Sequence, residues 1–274
     1  KDPVKLDVTI EIDPAMGNAF QEAAAHIKFV FSAEDNELPP PPLERADHFS
    51  YVSGYPDGTV RPQGDITRAE VATIFFCLLQ DDAREQVWST HDSFTDVLPN
   101  RWYSNRIATM SNAGMMIGYP DGTFRPNSKI TRAEFATVAA GFFHAPEVSD
   151  DAFSDISDSW ARDYINRAAA LGLVSGYDDG TFRPNSYIQR AEVMAILNRV
   201  LFRTPDKDHL LPDMITWPDN SNTEEWYYAD VQEATNGHDY ERVDNKSPET
   251  WTKINPPRDW DALEKELAQK YPGK

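Results

Sequence analysis

The chain has 274 residues and a formal net charge of −19 at pH 7. This acidic balance excludes nucleic acid as an expected partner, because a polyanion would be repelled. No run approaches the roughly 18–20 apolar residues that a membrane span needs, so membrane insertion is not expected either. Cys77 is the single cysteine, which rules out an internal disulfide and argues against a thiolate metal site.

The beginning of the chain has the pattern of β-strands. Apolar and polar residues alternate between Val4 and Ile12, and residues 26–32 suggest a second strand. We interpret residues 1–38 as a β remnant of an upstream domain and the prolines of residues 39–43 as a semi-rigid linker. Because the first residue is Lys1 rather than methionine, we expect a mature or excised fragment.

A motif of 17 residues then occurs three times without a gap. It reads GYPDGTVRPQGDITRAE from Gly54 (copy 1), GYPDGTFRPNSKITRAE from Gly118 (copy 2) and GYDDGTFRPNSYIQRAE from Gly176 (copy 3). Tyr-Pro-Asp-Gly is typical of a turn, and the residue before a proline favours an extended backbone. Repetition on this scale indicates three tandem copies of one structural unit.

The end of each motif predicts the start of a helix. Threonine followed three residues later by glutamate has the spacing of a capping box, and apolar residues then recur at i, i+3, i+4 and i+7. In copy 3 Gln189 replaces the threonine, which we expect to weaken the cap. The predicted capping residues are Thr67, Glu70, Thr131, Glu134 and Glu192.

A second helix is predicted before copies 2 and 3, where segments beginning at Phe94 and Phe153 align. No room exists for it before copy 1, but a similar segment at about 215–240 follows copy 3. We therefore expect this late segment to supply the missing helix. The predicted fold is mainly α, with three helix–loop–helix repeats in a pseudo-threefold arrangement closed by the C-terminal helix.

These patterns predict the following division after the linker. Unit 1 covers 44–90, unit 2 covers 91–147, unit 3 covers 148–205, and a closing helix and tail cover 206–274.

Together the motifs resemble the S-layer homology domain, which commonly occurs in sets of three. The resemblance covers about residues 44–240. It implies a non-catalytic, monomeric module that is extracellular, at the cell wall or S-layer. Such modules hold a surface protein non-covalently to a secondary cell-wall polysaccharide, typically through a pyruvylated amino sugar in grooves between units. The tail resembles the end of such triplets, so we expect a natural C-terminus.

The resemblance also assigns polysaccharide binding to the arginine of the Thr-Arg-Ala-Glu segment, here Arg68, Arg132 and Arg190. Physical chemistry agrees, since a helix start leaves unpaired N–H groups and a guanidinium can meet a carboxylate in bidentate fashion. We rank Arg132 first and Arg190 last, because unit 3 departs from the pattern at Asp178 and Gln189.

Other residues could contribute to the same grooves. Turn glycines would let the backbone approach a sugar, and tryptophans could offer ring faces, although core packing is the alternative role. The candidates are Gly58, Gly122, Gly180, Trp102, Trp160 and Trp226. A structural role, pairing with aspartates of the turn, is expected for Arg61, Arg125 and Arg183.

Three other functions compete with anchoring. A glycan hydrolase would need a pair of acids at a defined separation, but the repeated acids fall in turns and caps. A calcium module would need a loop whose residue order is absent, and the histidines show no ligand spacing, so neither a metal nor a cofactor is expected. A self-assembling S-layer lattice remains the main alternative.

Overall fold

A computed structural model describes residues 40–143, 148–244 and 247–274 of the chain. The strands predicted within residues 1–38 lie outside the described residues, so that interpretation remains a prediction. Residues Pro39–Lys274 form one compact unit.

This unit is mainly helical, with one small antiparallel sheet. The helices are α1 Arg68–Leu78, α2 Asp81–Val87, α3 Ser104–Asn112, α4 Arg132–Gly141, α5 Arg162–Ala170, α6 Arg190–Val200, α7 Tyr228–Thr235 and α8 Trp260–Lys270. The strands are β1 Gly237–Glu241 and β2 Thr250–Asn255. The two strands pair from Gly237 opposite Asn255 to Glu241 opposite Thr250.

The motif helices α1, α4 and α6 each begin at the arginine of the repeat. Thr67 and Glu70 cap α1 reciprocally, and Thr131 and Glu134 cap α4 in the same way. In α6 the Glu192 carboxylate accepts a hydrogen bond from the Gln189 N–H at 2.8 Å. This bond keeps one half of the capping box, and α6 begins at the same repeat position as the other two helices.

Backbone hydrogen bonds join the three copies in a cycle. The N–H of each motif arginine donates at 2.9 Å to a carbonyl of another copy, and the next alanine N–H does the same. The arginine bonds are Arg68 to Ser128, Arg132 to Ser186, and Arg190 to Gly64. Copy 1 thus bonds to copy 2, copy 2 to copy 3, and copy 3 back to copy 1. The expectation that these helix starts leave free N–H groups is wrong, because the neighbouring copy occupies them.

The segment around α7 contacts copy 1 as the segments before copies 2 and 3 contact theirs. Asp219 accepts from the N–H groups of Val60 and Arg61 at 3.0 and 2.7 Å. Asp96 and Asp155 accept from the equivalent pairs in copies 2 and 3 at 2.7 and 2.8 Å. An aspartate therefore fixes the same two backbone groups in all three copies.

Aromatic packing repeats in the same way. A Cβ on Gly54 would meet the Trp217 ring at 2.1 Å, and one on Gly118 would meet Phe94 at 2.3 Å. Gly176 has the same relation to Phe153, at 2.5 Å. Glycine is required here because an aromatic ring, Phe94, Phe153 or Trp217 of the late segment, lies directly against the backbone of each copy.

Replacing Asp219 by alanine is expected to lower the free energy of unfolding by about 1–3 kcal/mol, because the Val60 and Arg61 N–H groups lose their acceptor. Urea denaturation followed by circular dichroism measures the change. Asp213→Ala is the control, since this exposed acid makes none of the described hydrogen bonds or ion pairs. It should change stability by less than about 0.5 kcal/mol. Equal effects in the two variants would contradict the role given to Asp219.

The end of the predicted linker belongs to the packed unit. The Pro42 carbonyl accepts from the Gln80 N–H at 3.0 Å, and Leu43 is buried and pairs with Leu79. A spacer between domains would make no such contacts, so the linker predicted for residues 39–43 ends before Pro42.

Candidate functional site

Three grooves of one composition lie where the copies meet. Each combines a motif arginine of one copy with the tyrosine and glutamate of another copy and a tryptophan. Groove 1 contains Arg190, Tyr55, Glu70 and Trp102. Groove 2 contains Arg68, Tyr119, Glu134 and Trp160. Groove 3 contains Arg132, Tyr177, Glu192 and Trp226.

The arginine of each groove links two copies. Arg132 donates from Nε to the Phe182 carbonyl at 2.8 Å, from Nη2 to the Ser175 carbonyl at 3.1 Å, and from Nη1 to the Glu192 carboxylate at 2.6 Å. Arg68 and Arg190 make the same three types of contact. A guanidinium has five N–H donors, so these contacts leave two for a ligand.

Burial limits where that ligand could bind. The side chains of Arg68, Arg132 and Arg190 are 7%, 6% and 4% exposed. Little of each side chain is accessible, so a ligand in the groove can reach only a small part of it. The arginines are therefore structural links first, with limited capacity for a contact from outside.

The groove tyrosines lie among charged groups. In groove 1 the Tyr55 hydroxyl donates to Glu70 Oε1 at 2.5 Å, and the ring lies 4.8 Å from Arg190 Cζ and 3.9 Å from Arg61 Cζ. Burial and the hydrogen bond to Glu70 raise the pKa of Tyr55 to about 12. The hydroxyl therefore stays protonated at neutral pH and acts as a donor to the carboxylate.

The outer arginines of the turns have the structural role that the sequence predicts. Arg61, Arg125 and Arg183 pair with the aspartates four residues earlier at 2.7, 2.8 and 2.9 Å. They hold the turn against the groove tyrosine.

The motif glutamates, predicted from the sequence as capping residues, also face the grooves. In Glu70, Oε2 accepts from the Thr67 N–H while Oε1 faces Tyr55 and Arg190. The sequence patterns did not lead to the prediction that these glutamates and the tyrosines line the grooves. The available signal was the tyrosine that follows the first glycine in every copy of the motif.

The three tryptophans are brought to the grooves with most of each ring in solvent. Trp102, Trp160 and Trp226 are 55%, 66% and 59% exposed. Trp102 packs edge-to-face with Tyr103, and Trp226 packs in the same way with Tyr227. The ring centroids of the two pairs are 5.2 and 5.3 Å apart. These tryptophans are not core residues, because most of the surface of a tryptophan in the core is buried.

The predicted turn glycines lie elsewhere. Gly58, Gly122 and Gly180 have φ of +80°, +79° and +78°, which explains why glycine occupies these turn positions. They do not line any of the three grooves. The glycines that do are Gly54, Gly118 and Gly176, at the first position of each motif.

The grooves differ in size. Their volumes are about 350 Å³, 570 Å³ and 110 Å³ for grooves 1, 2 and 3. In groove 3 Arg199 takes the repeat position that Cys77 holds in α1 and Gly141 in α4. Ligand pockets commonly measure about 300–1,000 Å³, so grooves 1 and 2 have room for a sugar and groove 3 has little. Arg132 lies in groove 3, the smallest of the three. Groove volume therefore does not support the prediction that Arg132 is the most important of the three motif arginines for binding.

Sequence comparison identifies the class. Residues 49–72, 93–136 and 152–194 match the profile described as S-layer homology domain. The matched segments include all three motifs and the helices that precede copies 2 and 3. The chain belongs to the S-layer homology family.

Relatives from bacterial surfaces extend this match. The chain is 37% identical over 214 residues to cell surface glycoprotein 1 of Acetivibrio thermocellus, covering 73% of this chain and 9% of that protein. It is also 37% identical over 205 residues to the cellulosome-anchoring protein of the same organism, covering 73% of this chain and 45% of that protein. An S-layer protein of Bacillus licheniformis is 34% identical over 145 residues, 52% of this chain and 16% of the relative.

The chain thus spans less than half the length of these relatives. They are cell-surface and S-layer proteins, and the chain shares that extracellular location at the cell wall. Among the helices of residues 40–143, 148–244 and 247–274, none has the length and apolarity needed to cross a membrane.

Proposed function

We propose that this chain anchors a surface protein to the cell wall by binding a secondary cell-wall polysaccharide in the grooves between its repeats. The observation that carries the proposal is the threefold recurrence of a largely exposed tryptophan beside the edge of a buried guanidinium. An exposed aromatic ring and a fixed cation suit a ligand with an apolar sugar face and a negative charge.

A pyruvylated amino sugar has both features. The tryptophan face would pack on the sugar ring. The ketal carboxylate would accept the two N–H groups that the arginine leaves unused, in a charge-assisted pair. The net charge of −19 opposes an anion only weakly at this site, because exposed charges are screened beyond about 8 Å.

We also propose that the three repeats form a pseudo-threefold arrangement, with unit 1 completed by the segment at about 215–240. The cyclic arginine-to-carbonyl bonds and the equivalent roles of Asp219, Asp96 and Asp155 support it. Such an arrangement presents several weak sites to a repeating polymer, and joint binding raises avidity by roughly 10²–10⁴ over one site.

The proposed module is monomeric and has no catalytic step, nucleic-acid partner or membrane insertion. The repeated acids have structural tasks that favour this interpretation. Asp57, Asp121 and Asp179 pair with turn arginines, and the motif glutamates hold helix starts.

Co-sedimentation with purified cell-wall sacculi tests the anchoring. The chain is expected to sediment with intact sacculi and to stay in the supernatant after acid extraction of the secondary polymer. Equal sedimentation before and after extraction would move the target to peptidoglycan and contradict the polysaccharide proposal. Absence of sedimentation in both, together with ordered sheets in the microscope, would favour lattice assembly instead.

A further inference from the structure

Four buried side chains from separate parts of the chain point at one position. His48 precedes copy 1, Glu233 lies on α7, His238 on β1, and Glu249 just before β2. All four are buried, and one ligand atom from each lies within 4.8 Å of the others. None of them lines the three grooves.

Several distances between these side chains are close to those in the ligand shell of a small ion, and all four ligand atoms lie within 4.8 Å of one another. His48 Nδ1 lies 3.2 Å from His238 Nε2, 3.2 Å from Glu233 Oε1 and 3.4 Å from Glu249 Oε2. His238 Nε2 lies 3.3 Å from Glu233 Oε2. Ligand atoms about 2.0–2.2 Å from a tetrahedral zinc ion are separated from one another by about 3.3–3.6 Å.

Hydrogen bonding within the cluster cannot satisfy these atoms. The His238 Nδ1 lies 3.0 Å from the Asn236 carbonyl, so Nδ1 is the donor of this bond, and Nε2 of the neutral ring has a lone pair directed at the cluster. A single proton on His48 Nδ1 can serve one of its three neighbours. Within the described part of the chain, Glu233 Oε2 and Glu249 Oε2 are buried without a hydrogen bond of good geometry, and the nitrogens that approach them are those of the two histidines.

The surroundings hold the four groups in place. The His48 ring stacks on Tyr240 at 4.0 Å, and the His238 ring stacks on Trp251 at 3.9 Å. Arg203 and Arg242 contact the Oε1 atoms of Glu233 and Glu249 at 3.3 and 3.4 Å. Ring nitrogens fixed by a carbonyl and carboxylates held by outer donors are usual features around a protein-bound metal.

We propose that His48, Glu233, His238 and Glu249 bind one divalent transition-metal ion, Zn²⁺, at a closed structural site. Two imidazoles and two carboxylates suit zinc better than calcium or magnesium, which favour all-oxygen sites. Charge balance alone does not require the ion, since the two arginines neutralise the two carboxylates. The converging ligand atoms are what favour it. The ion would tie the segment before copy 1 to α7 and the β1–β2 hairpin, which are distant in sequence.

This inference is independent of polysaccharide binding and has a direct test. The chain is prepared without a histidine tag, unfolded in guanidinium with a chelator, refolded in metal-free buffer, and titrated with Zn²⁺, Ca²⁺ or Mg²⁺. Mass spectrometry of the metal content is expected to find one zinc per chain, and Zn²⁺ alone should raise the melting temperature. At 100 times its Kd, zinc shifts the unfolding equilibrium about 100-fold toward the folded chain.

Substitution of the proposed ligands tests where the ion binds. Glu249→Gln and His238→Gln are expected to lose the bound zinc, whereas His209→Ala, at an exposed histidine paired with Asp206, should retain it. Because buried variants can fail to fold, the titration of the unmodified chain decides the question by itself. An unchanged melting temperature and no bound zinc after refolding with excess Zn²⁺ would overturn the proposal. So would full zinc content in folded Glu249→Gln and His238→Gln.

Discussion

Removal of the Arg132 side chain is expected to destabilise the protein by about 3–5 kcal/mol, because the change leaves the partly buried carboxylate of Glu192 without its guanidinium partner. The Phe182 and Ser175 carbonyls also lose a donor. For a unit of this size the loss lowers the melting temperature by roughly 6–20 °C. Differential scanning calorimetry of Arg132→Ala measures it.

Arg125→Ala is the matched control for this prediction. Arg125 also pairs with a carboxylate, Asp121, at 2.8 Å, but both side chains are about half exposed. An exposed pair contributes roughly 0–1 kcal/mol, so this variant should melt close to the unmodified chain. Similar melting temperatures for Arg132→Ala and Arg125→Ala would show that the inter-copy link is not a structural one.

The buried position of Arg132 also affects how binding data are interpreted. A loss of wall binding in Arg132→Ala would follow from a lost ligand contact or from a loosened boundary between copies 2 and 3. The motif arginines are therefore poor single probes of the ligand site. Exposed groove residues are better ones.

The sequence predicts the repeated elements well because their signals are local. A capping residue, a helix period and a turn glycine each act within a few residues, so Thr67 with Glu70 is sufficient to place the start of α1. The contact of the late segment with copy 1 has a signal in the sequence too, because the segment repeats the aspartate and aromatic positions that precede copies 2 and 3.

Contacts between copies could not be predicted in this way. Nothing local to Arg68 indicates that its guanidinium binds carbonyls at Ile117 and Phe124 in another copy. The same limit applies to the cluster of His48, Glu233, His238 and Glu249, because His48 lies more than 180 residues from the other three in the chain. Spacing along the chain identifies a metal site only where ligands share one element.

Replacing Trp160 by alanine is expected to weaken binding to the wall polymer about 10-fold, as loss of an aromatic contact of about 1–2 kcal/mol implies. Folding should change by less than about 0.5 kcal/mol, since the ring is 66% exposed. Sedimentation with sacculi over a range of protein concentrations gives the affinity. The double variant Trp102→Ala, Trp160→Ala removes the tryptophan from both of the larger grooves. It should lower the avidity for the polymer by about 10² or more.

Trp226→Ala provides the comparison that tests the explanation. Trp226 holds the same repeat position and is 59% exposed, but its groove has only about 110 Å³ and contains Arg199. The variant should therefore bind the wall nearly as well as the unmodified chain. If Trp226→Ala weakens binding as much as Trp160→Ala, groove volume does not decide occupancy, and Arg199 becomes a candidate second cation for the ligand. If none of the three changes alters binding, the tryptophans do not contact the sugar, and the proposed packing of a sugar ring on them is wrong.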